Sequence, residues 1–243
     1  MTAWLDVAGA TDSGRVRANN EDDFFIDRER GLFVVADGMG GHNSGEVASA
    51  LATRTLRDCA RLDRASAASR ARRLEDWIRR ANSVIYEKGR AFPQDAGMGT
   101  TVVAVLADPG SMTVAHVGDS RAYLFRDGRL RALTADHSLP GLQNVLTRAV
   151  GAEKDVRVDV AEHSLAAGDV VLLVSDGLTK MVDDSAIAEA AARGDRPRAL
   201  VYDLVARALN AGGEDNVTVV AARVAIGGGL LRRLSSRLLG GWA

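Results

Sequence analysis

The sequence predicts an α+β fold, a central sandwich of two antiparallel β-sheets flanked by pairs of helices. Three observations predict it. Short apolar segments bounded by turn residues recur early, in the middle and late in the chain. The middle segments are joined through Asp108-Pro109-Gly110 and Arg126-Asp127-Gly128, the turn chemistry of an antiparallel meander. Helical patterns come in pairs between the strand groups, which is not the regular βαβ alternation of a doubly wound sheet.

Residues 3–10 and 22–27 read as strands, with the turn Thr11-Asp12-Ser13-Gly14 between them. A strand over 32–37 follows Arg30-Gly31. Helices are predicted over 45–62 and 66–90; in the second, Leu74, Ile78, Ala81 and Ile85 fall on one stripe. Arg70, Arg72, Arg73, Arg79 and Arg80 occupy its other faces without interleaved aromatics, so they read as a solvated surface rather than a nucleic-acid patch. Strands follow at 100–107, 112–118, 120–126, 129–133, 156–160 and 169–175. Helices at 184–193 and 197–211 and a last strand at 216–224 complete a domain over 1–225. The tail 226–243 opens on Gly227-Gly228-Gly229. It then places Leu230, Leu231, Leu234, Leu238 and Leu239 on one helical face, able to dock on the domain, on a partner or weakly on an anionic membrane.

The 243 residues are enough for a sizeable core, and 31 basic against 32 acidic residues give no field that would draw nucleic acid or membrane. A single cysteine, Cys59, excludes an internal disulfide and fits a cytoplasmic location. No signal peptide and no membrane span are expected. Cys59 lies in a predicted helix with Ala65, not arginine, six positions on, so it reads as core and not as a phosphate-cradling nucleophile.

The chemistry concentrates at strand ends. The run Leu32 to Ala36 ends on Asp37 and passes into Gly38-Met39-Gly40-Gly41-His42. Alone, this stretch fits a metal or ligand site and a self-bonded turn equally well. Further acidic residues stand at comparable boundaries: Glu21-Asp22, Asp119, Asp136, Asp176 and Glu214-Asp215. If the strand ends of both sheets meet on one edge, these carboxylates converge and repel unless cations lie between them. All-oxygen ligation selects hard ions such as Mg²⁺ or Mn²⁺.

The ordered set Arg17-x-x-x-Glu21-Asp22, Asp37-Gly38-Met39-Gly40-Gly41-His42, Gly99-Thr100-Thr101, Gly118-Asp119-Ser120-Arg121, Asp136-His137-Ser138, Ser175-Asp176-Gly177 and Glu214-Asp215-Asn216 resembles the bacterial branch of the type 2C metal-dependent protein serine/threonine phosphatases. The resemblance spans residues 12 to 224. It implies a phosphatase acting on phosphoserine and phosphothreonine in proteins, through a water bridged between two Mg²⁺ or Mn²⁺ ions. It implies that Asp37 bridges the metals with the Gly38 carbonyl as a further ligand, and that Asp176 and Asp215 ligate one of them. Glu21 and Asp22 would hold and orient metal-bound water, Arg17 would grip the substrate phosphate, and Asp119 would hold a third ion. Asn216 would orient the loop beside Asp215. A cognate serine/threonine kinase is the implied partner.

Two departures from the family pattern stand out. Met39 occupies the position where many eukaryotic members carry a histidine proposed as general acid, which leaves protonation of the leaving group unassigned; His42 reads as a turn residue and His137 as structural. Only Leu139-Pro140-Gly141-Leu142-Gln143 remains where relatives carry a flap subdomain, so that subdomain is much shortened. A catalytically silent, phosphatase-like binding module is the alternative, and the full set of carboxylates opposes it. A phospho-acceptor domain, mimicked by the acidic pair, Asp37 and Lys180, is opposed by the β meander. Nucleotide-binding glycine motifs fail on spacing.

Overall fold

The computed structural model describes residues 4–40, 44–63, 68–139 and 142–225, with the backbone alone at 142–144. The tail 226–243 and His42 lie outside the described residues. The first sheet has five strands, formed by β1 (Leu5–Asp12), β13 (Val217–Val224), β12 (Val170–Val174), β7 (Arg121–Arg126) and β8 (Arg129–Ala132) in that spatial order. The second has six: β11 (Asp159–Ser164), β6 (Ser111–Val117), β5 (Val102–Asp108), β3 (Leu32–Met39) and β2 (Asp22–Asp27) in order, with β4 (Gly99–Thr100) paired to the end of β3. The pairings within both are antiparallel.

The apolar runs are continuous because the central strands are covered on both faces. In β3, Leu32, Val34 and Ala36 pack outward against α1 (Ser44–Leu62) and α2 (Arg70–Ala91), while Phe33 and Val35 pack inward. In β12, Val171 and Leu173 face the same inter-sheet layer. Val170, Leu172 and Val174 face α4 (Asp184–Ala192) and α5 (Pro197–Asn210). Three apolar layers thus hold an α-β-β-α sandwich, each buried Val, Leu or Phe contributing roughly 1.5–3 kcal/mol. Among the described residues no helix is long and apolar enough to cross a membrane.

Four differences from the sequence reading have a clear physical cause. α2 starts at Arg70 rather than 66 because Ser69 caps it, its hydroxyl accepting from the Arg72 amide at 3.2 Å. The strand expected at 100–107 breaks at Thr101, whose amide donates to the Asp37 carbonyl at 2.8 Å instead of continuing the ladder. The strand expected at 156–160 lies at Asp159–Ser164, fixed by pairing Asp159 to Ser164 with His116 to Ser111; its edge position admits the polar residues that hid it. Finally, β9 (Ser138–Leu139) pairs with β10 (Leu142–Leu146), so a two-stranded ribbon stands where the sequence offered five residues of remnant flap.

The registers place the acidic motifs at one end of the sandwich. Asp22 lies opposite Asp37, Val35 opposite Val103 and Val102 opposite Val117, which aligns the β2 start, the β3 end and the β6 exit. On the other sheet Val174 pairs with both Val219 and Arg121, aligning the β12 exit with the β13 and β7 entries. Gly118-Asp119-Ser120 connects the two sheets at that same end.

Candidate metal centre

A cleft of about 990 Å³ opens at this end, and Arg17, Glu21, Asp37, Gly38, Asp119, Asp176 and Asp215 line it. Five separate strand ends and turns deliver them: the loop before β2 (Arg17, Glu21), the end of β3 (Asp37, Gly38), the β6–β7 connection (Asp119), the turn after β12 (Asp176) and the turn before β13 (Asp215). Asp176 opens the short helix α3 (Asp176–Thr179), with Ser175 before it in extended conformation. Asp215 precedes β13, and Asn216 behind it ties the loop 13–21 in place. The Asn216 amide group donates to the Ser13 and Asn19 carbonyls at 2.9 and 2.8 Å, and its carbonyl accepts from the Glu21 amide at 2.8 Å. Asn216 therefore orients more than its own turn: it sets the segment carrying Arg17 and Glu21 against Asp215.

The backbone at Asp37 is held on both sides. Its amide donates to Thr101 Oγ1 at 3.0 Å, and its carbonyl accepts from the Thr101 amide and, at 2.9 Å, from Thr100 Oγ1. Thr101 Oγ1 is in turn 2.6 Å from Ser120 Oγ, beside Asp119. Across the sheets Ser175 Oγ donates to Asp22 Oδ2 at 2.7 Å while accepting from the Thr218 amide at 2.9 Å. Asp22 lies behind the cleft wall rather than on it.

These carboxylates are short of donors. Asp22 Oδ1 and Asp176 Oδ1 are buried without a hydrogen-bond partner, a costly arrangement for an acceptor that nothing else satisfies. Burial first, then Asp22, Asp176, Asp119 and Asp215, holds the Asp37 carboxyl well above the ordinary range, although part of its surface faces the cleft. Burial pushes Asp22 up to about 7 against the opposing hydrogen bonds of Ser175 and Thr218. Burial and Asp176 push Asp119 up to about 6, and burial raises Glu21 against the pull of Arg17. A cleft edge lined by acids from both sheets, with two buried acid oxygens left without a donor, fits a hard divalent cation.

A stability profile follows from the sign of these shifts. Folding favours the protonated acids, so their contribution is complete below the ordinary carboxylate range and is lost as pH rises through about 7. Protein stripped with EDTA is therefore expected to melt at lower temperature as pH rises from about 5 to about 7. Mn²⁺, which needs the deprotonated ligands, reverses the trend. Calorimetric melting in pH steps, with and without Mn²⁺, checks this; a metal-free melting temperature that climbs over the same window contradicts it.

A family model described as Protein phosphatase 2C matches residues 12–209. The chain belongs to the protein phosphatase 2C family. The match takes in Arg17, Glu21, Asp22, Asp37, Asp119 and Asp176. It is 36% identical over 236 residues to the serine/threonine phosphatase Stp of Listeria monocytogenes, covering 86% of this chain and 92% of that one. The crystal structure of the Mycobacterium tuberculosis serine/threonine phosphatase PstP/Ppp superposes with a TM-score of 0.84 at 35% identity, over 91% of this chain and 99% of the other. A catalytic domain of PstP in complex with 2 manganese ions superposes with a TM-score of 0.83 at 36% identity, over 91% and 98%. Membership gives the enzyme class expected from the sequence, a metal-dependent phosphoprotein phosphatase.

Not every acidic motif of this type 2C chain reaches the cleft. Asp136 turns away, held in a two-bond pair by Arg121 at 2.9 and 2.7 Å, so the expected convergence excludes it. His137 is buried and structural: its Nδ1 accepts from the Gly118 amide at 3.1 Å, which leaves Nε2 protonated toward Asp159 at 3.3 Å. With His116 it forms a stacked pair near Asp159 that has the spacing of a metal group. The Gly118 amide, and the Ala135 carbonyl on His116 Nε2, already engage those nitrogens. Cys59 is half-buried against the helix-side core and burial raises its thiol, which suits packing and not nucleophilic attack. The sequence reading also missed how far Lys180 and Arg17 enter the carboxylate cluster. Lys180 Nζ is 2.5 Å from Asp176 Oδ2, and Arg17 Nε is 3.0 Å from Asp215 Oδ1. Only the positive charge near an acidic motif hinted at this.

Proposed function

We propose that residues 1–225 form the catalytic domain of a protein serine/threonine phosphatase using two Mn²⁺ or Mg²⁺ ions, with Asp119 marking a third, weaker position. The observation that carries this is the meeting of carboxylates from both sheets at one edge, with two buried oxygens lacking donors. Asp37 is central to the cluster and is assigned as the shared ligand, with the Gly38 carbonyl beside it. Asp176 and Asp215 are assigned together to one ion. Glu21 and Asp22 are assigned to holding and orienting water at the site. When bound, the divalent ions supply Lewis acidity toward phosphate and water.

The chain's own groups do the rest. Arg17 stands at the cleft with 55% of its side chain exposed, and its planar fork suits a phosphoryl group. Exposed Val145 and the following residues Leu146 to Ala149 supply the facing wall, so the β9–β10 ribbon takes the rim position of the shortened flap. Phosphorylated proteins are the substrates of this reading, a serine/threonine kinase is the enzyme it opposes, and the cytoplasm is its place of action. The relatives named as serine/threonine phosphatases support it.

The test is phosphate release from a phosphothreonine peptide by EDTA-treated protein. Release that appears only on adding Mn²⁺ or Mg²⁺ is expected. Absence of metal-dependent release leaves a silent binding module and sinks the proposal.

A further inference from the structure

We infer that Lys180 is a tethered cation that competes with the divalent metal for the Asp176–Asp215 pair. The inference rests on the metal-centre reading above and concerns one residue that the reading does not use.

Lys180 ends α3, one helical turn after Asp176, and its amide donates to the Asp176 carbonyl at 2.8 Å. The turn folds the side chain back over the carboxylate that opened it. Its Nζ sits 2.5 Å from Asp176 Oδ2 and 3.3 Å from Asp215 Oδ2, bridging two acids from different elements. Arg17 completes the occupation of Asp215, at 3.0 Å from Oδ1 and 3.2 Å from Oδ2.

An ammonium and a divalent ion cannot both be chelated by the same pair of oxygens. The pair therefore has two competing arrangements, one closed on Lys180, which leaves Asp176 Oδ1 without a partner, and one closed on metal. The flexible four-carbon stem lets the ammonium leave toward the cleft that Lys180 already lines, where water rehydrates it. Repulsion between Asp176 and Asp215 is relieved in the first arrangement, and metal uptake must displace that contact. The apparent metal affinity falls by the fraction of protein closed on Lys180. The residue thus sets how readily one metal is gained and lost, without being a ligand.

The test uses the full chain stripped with EDTA and titrated with Mn²⁺ by calorimetry. Lys180→Met and Lys180→Gln are each expected to bind Mn²⁺ at one position about tenfold more tightly or better. Both are expected to melt lower than the wild type before metal is added, whereas Lys180→Arg, still cationic, stays close to the wild type. Equal or weaker Mn²⁺ binding by the neutral variants overturns the inference. A second readout needs no variant. The chain has three lysines, Lys88, Lys154 and Lys180, so amine acylation followed by mass spectrometry resolves them. Saturating Mn²⁺ is expected to raise labelling of Lys180 relative to Lys154, and an unchanged ratio overturns the inference. A wild type that takes up no Mn²⁺ overturns the metal-centre reading together with this inference, and so is told apart from failure of the lysine alone.

Discussion

Asp37→Asn lowers kcat by on the order of 10³-fold at saturating metal, and Asp176→Asn does the same, because several kcal/mol of charge stabilisation disappear. The substitution is nearly isosteric, and the bonds that hold residue 37 in place come from its backbone to Thr100 and Thr101, so they persist. It also removes one acid from a cluster whose members raise one another's proton affinity. The metal-free variant should therefore melt no lower than the wild type, which separates lost chemistry from lost folding. Steady-state kinetics on a phosphopeptide with Mn²⁺ in excess is the measurement. Retention of more than about a tenth of wild-type kcat would count against the ligand assignment.

Gly38→Ala is the second large effect, and it acts through packing. A Cβ at this position would stand 2.1 Å from the Gly45 carbonyl oxygen, 2.4 Å from its carbon and 2.6 Å from the Glu21 carbonyl oxygen. All three are backbone atoms, two at the start of α1 and one in the loop that carries Glu21, so no side chain can swing aside. The added methyl must push the helix start and the loop apart, at a cost of about 3 kcal/mol or more. For a chain of this size that lowers the melting temperature by roughly 6–12 °C. Gly97→Ala is the control. Its φ of +76° strains an alanine, but no atom lies within 4 Å of the added carbon, so a smaller loss of about 1 kcal/mol and retained activity are expected. A loss at Gly38 no larger than that at Gly97 would contradict the close approach of Gly38 to its neighbours.

The sandwich was legible in the sequence because runs such as Val170-Val171-Leu172-Leu173-Val174 must be covered on both faces, and paired helices supply the covers. The ordered acidic motifs pointed to the cleft because each stands beside glycine or a small polar residue at a strand end. Pairing decided what could not be read. β11 is an edge strand of mixed polarity, placed by its ladder with β6 and by no pattern of its own. Thr101 leaves the β5 ladder to bond Asp37, a choice made by a residue sixty-four positions away. Asp136 looked like the other strand-end acids, and only the position of Arg121 on the opposite side of a turn diverted it. The long-range pairing with Asp215 also decides Arg17 and half of Lys180's contacts, which the sequence did not show; the pair of Lys180 with Asp176, four residues earlier, is local. The tail 226–243 and His42 lie outside the described residues.

In the proposed centre Asp37 and its neighbours are metal ligands and not a turn with incidental acids. Mn²⁺ uptake by EDTA-treated protein, measured by calorimetry for the wild type and for Asp37→Asn, tests it most directly. About two ions per wild-type chain and loss of tight binding in the variant are expected. No uptake by the wild type, or equal uptake by Asp37→Asn, would contradict it.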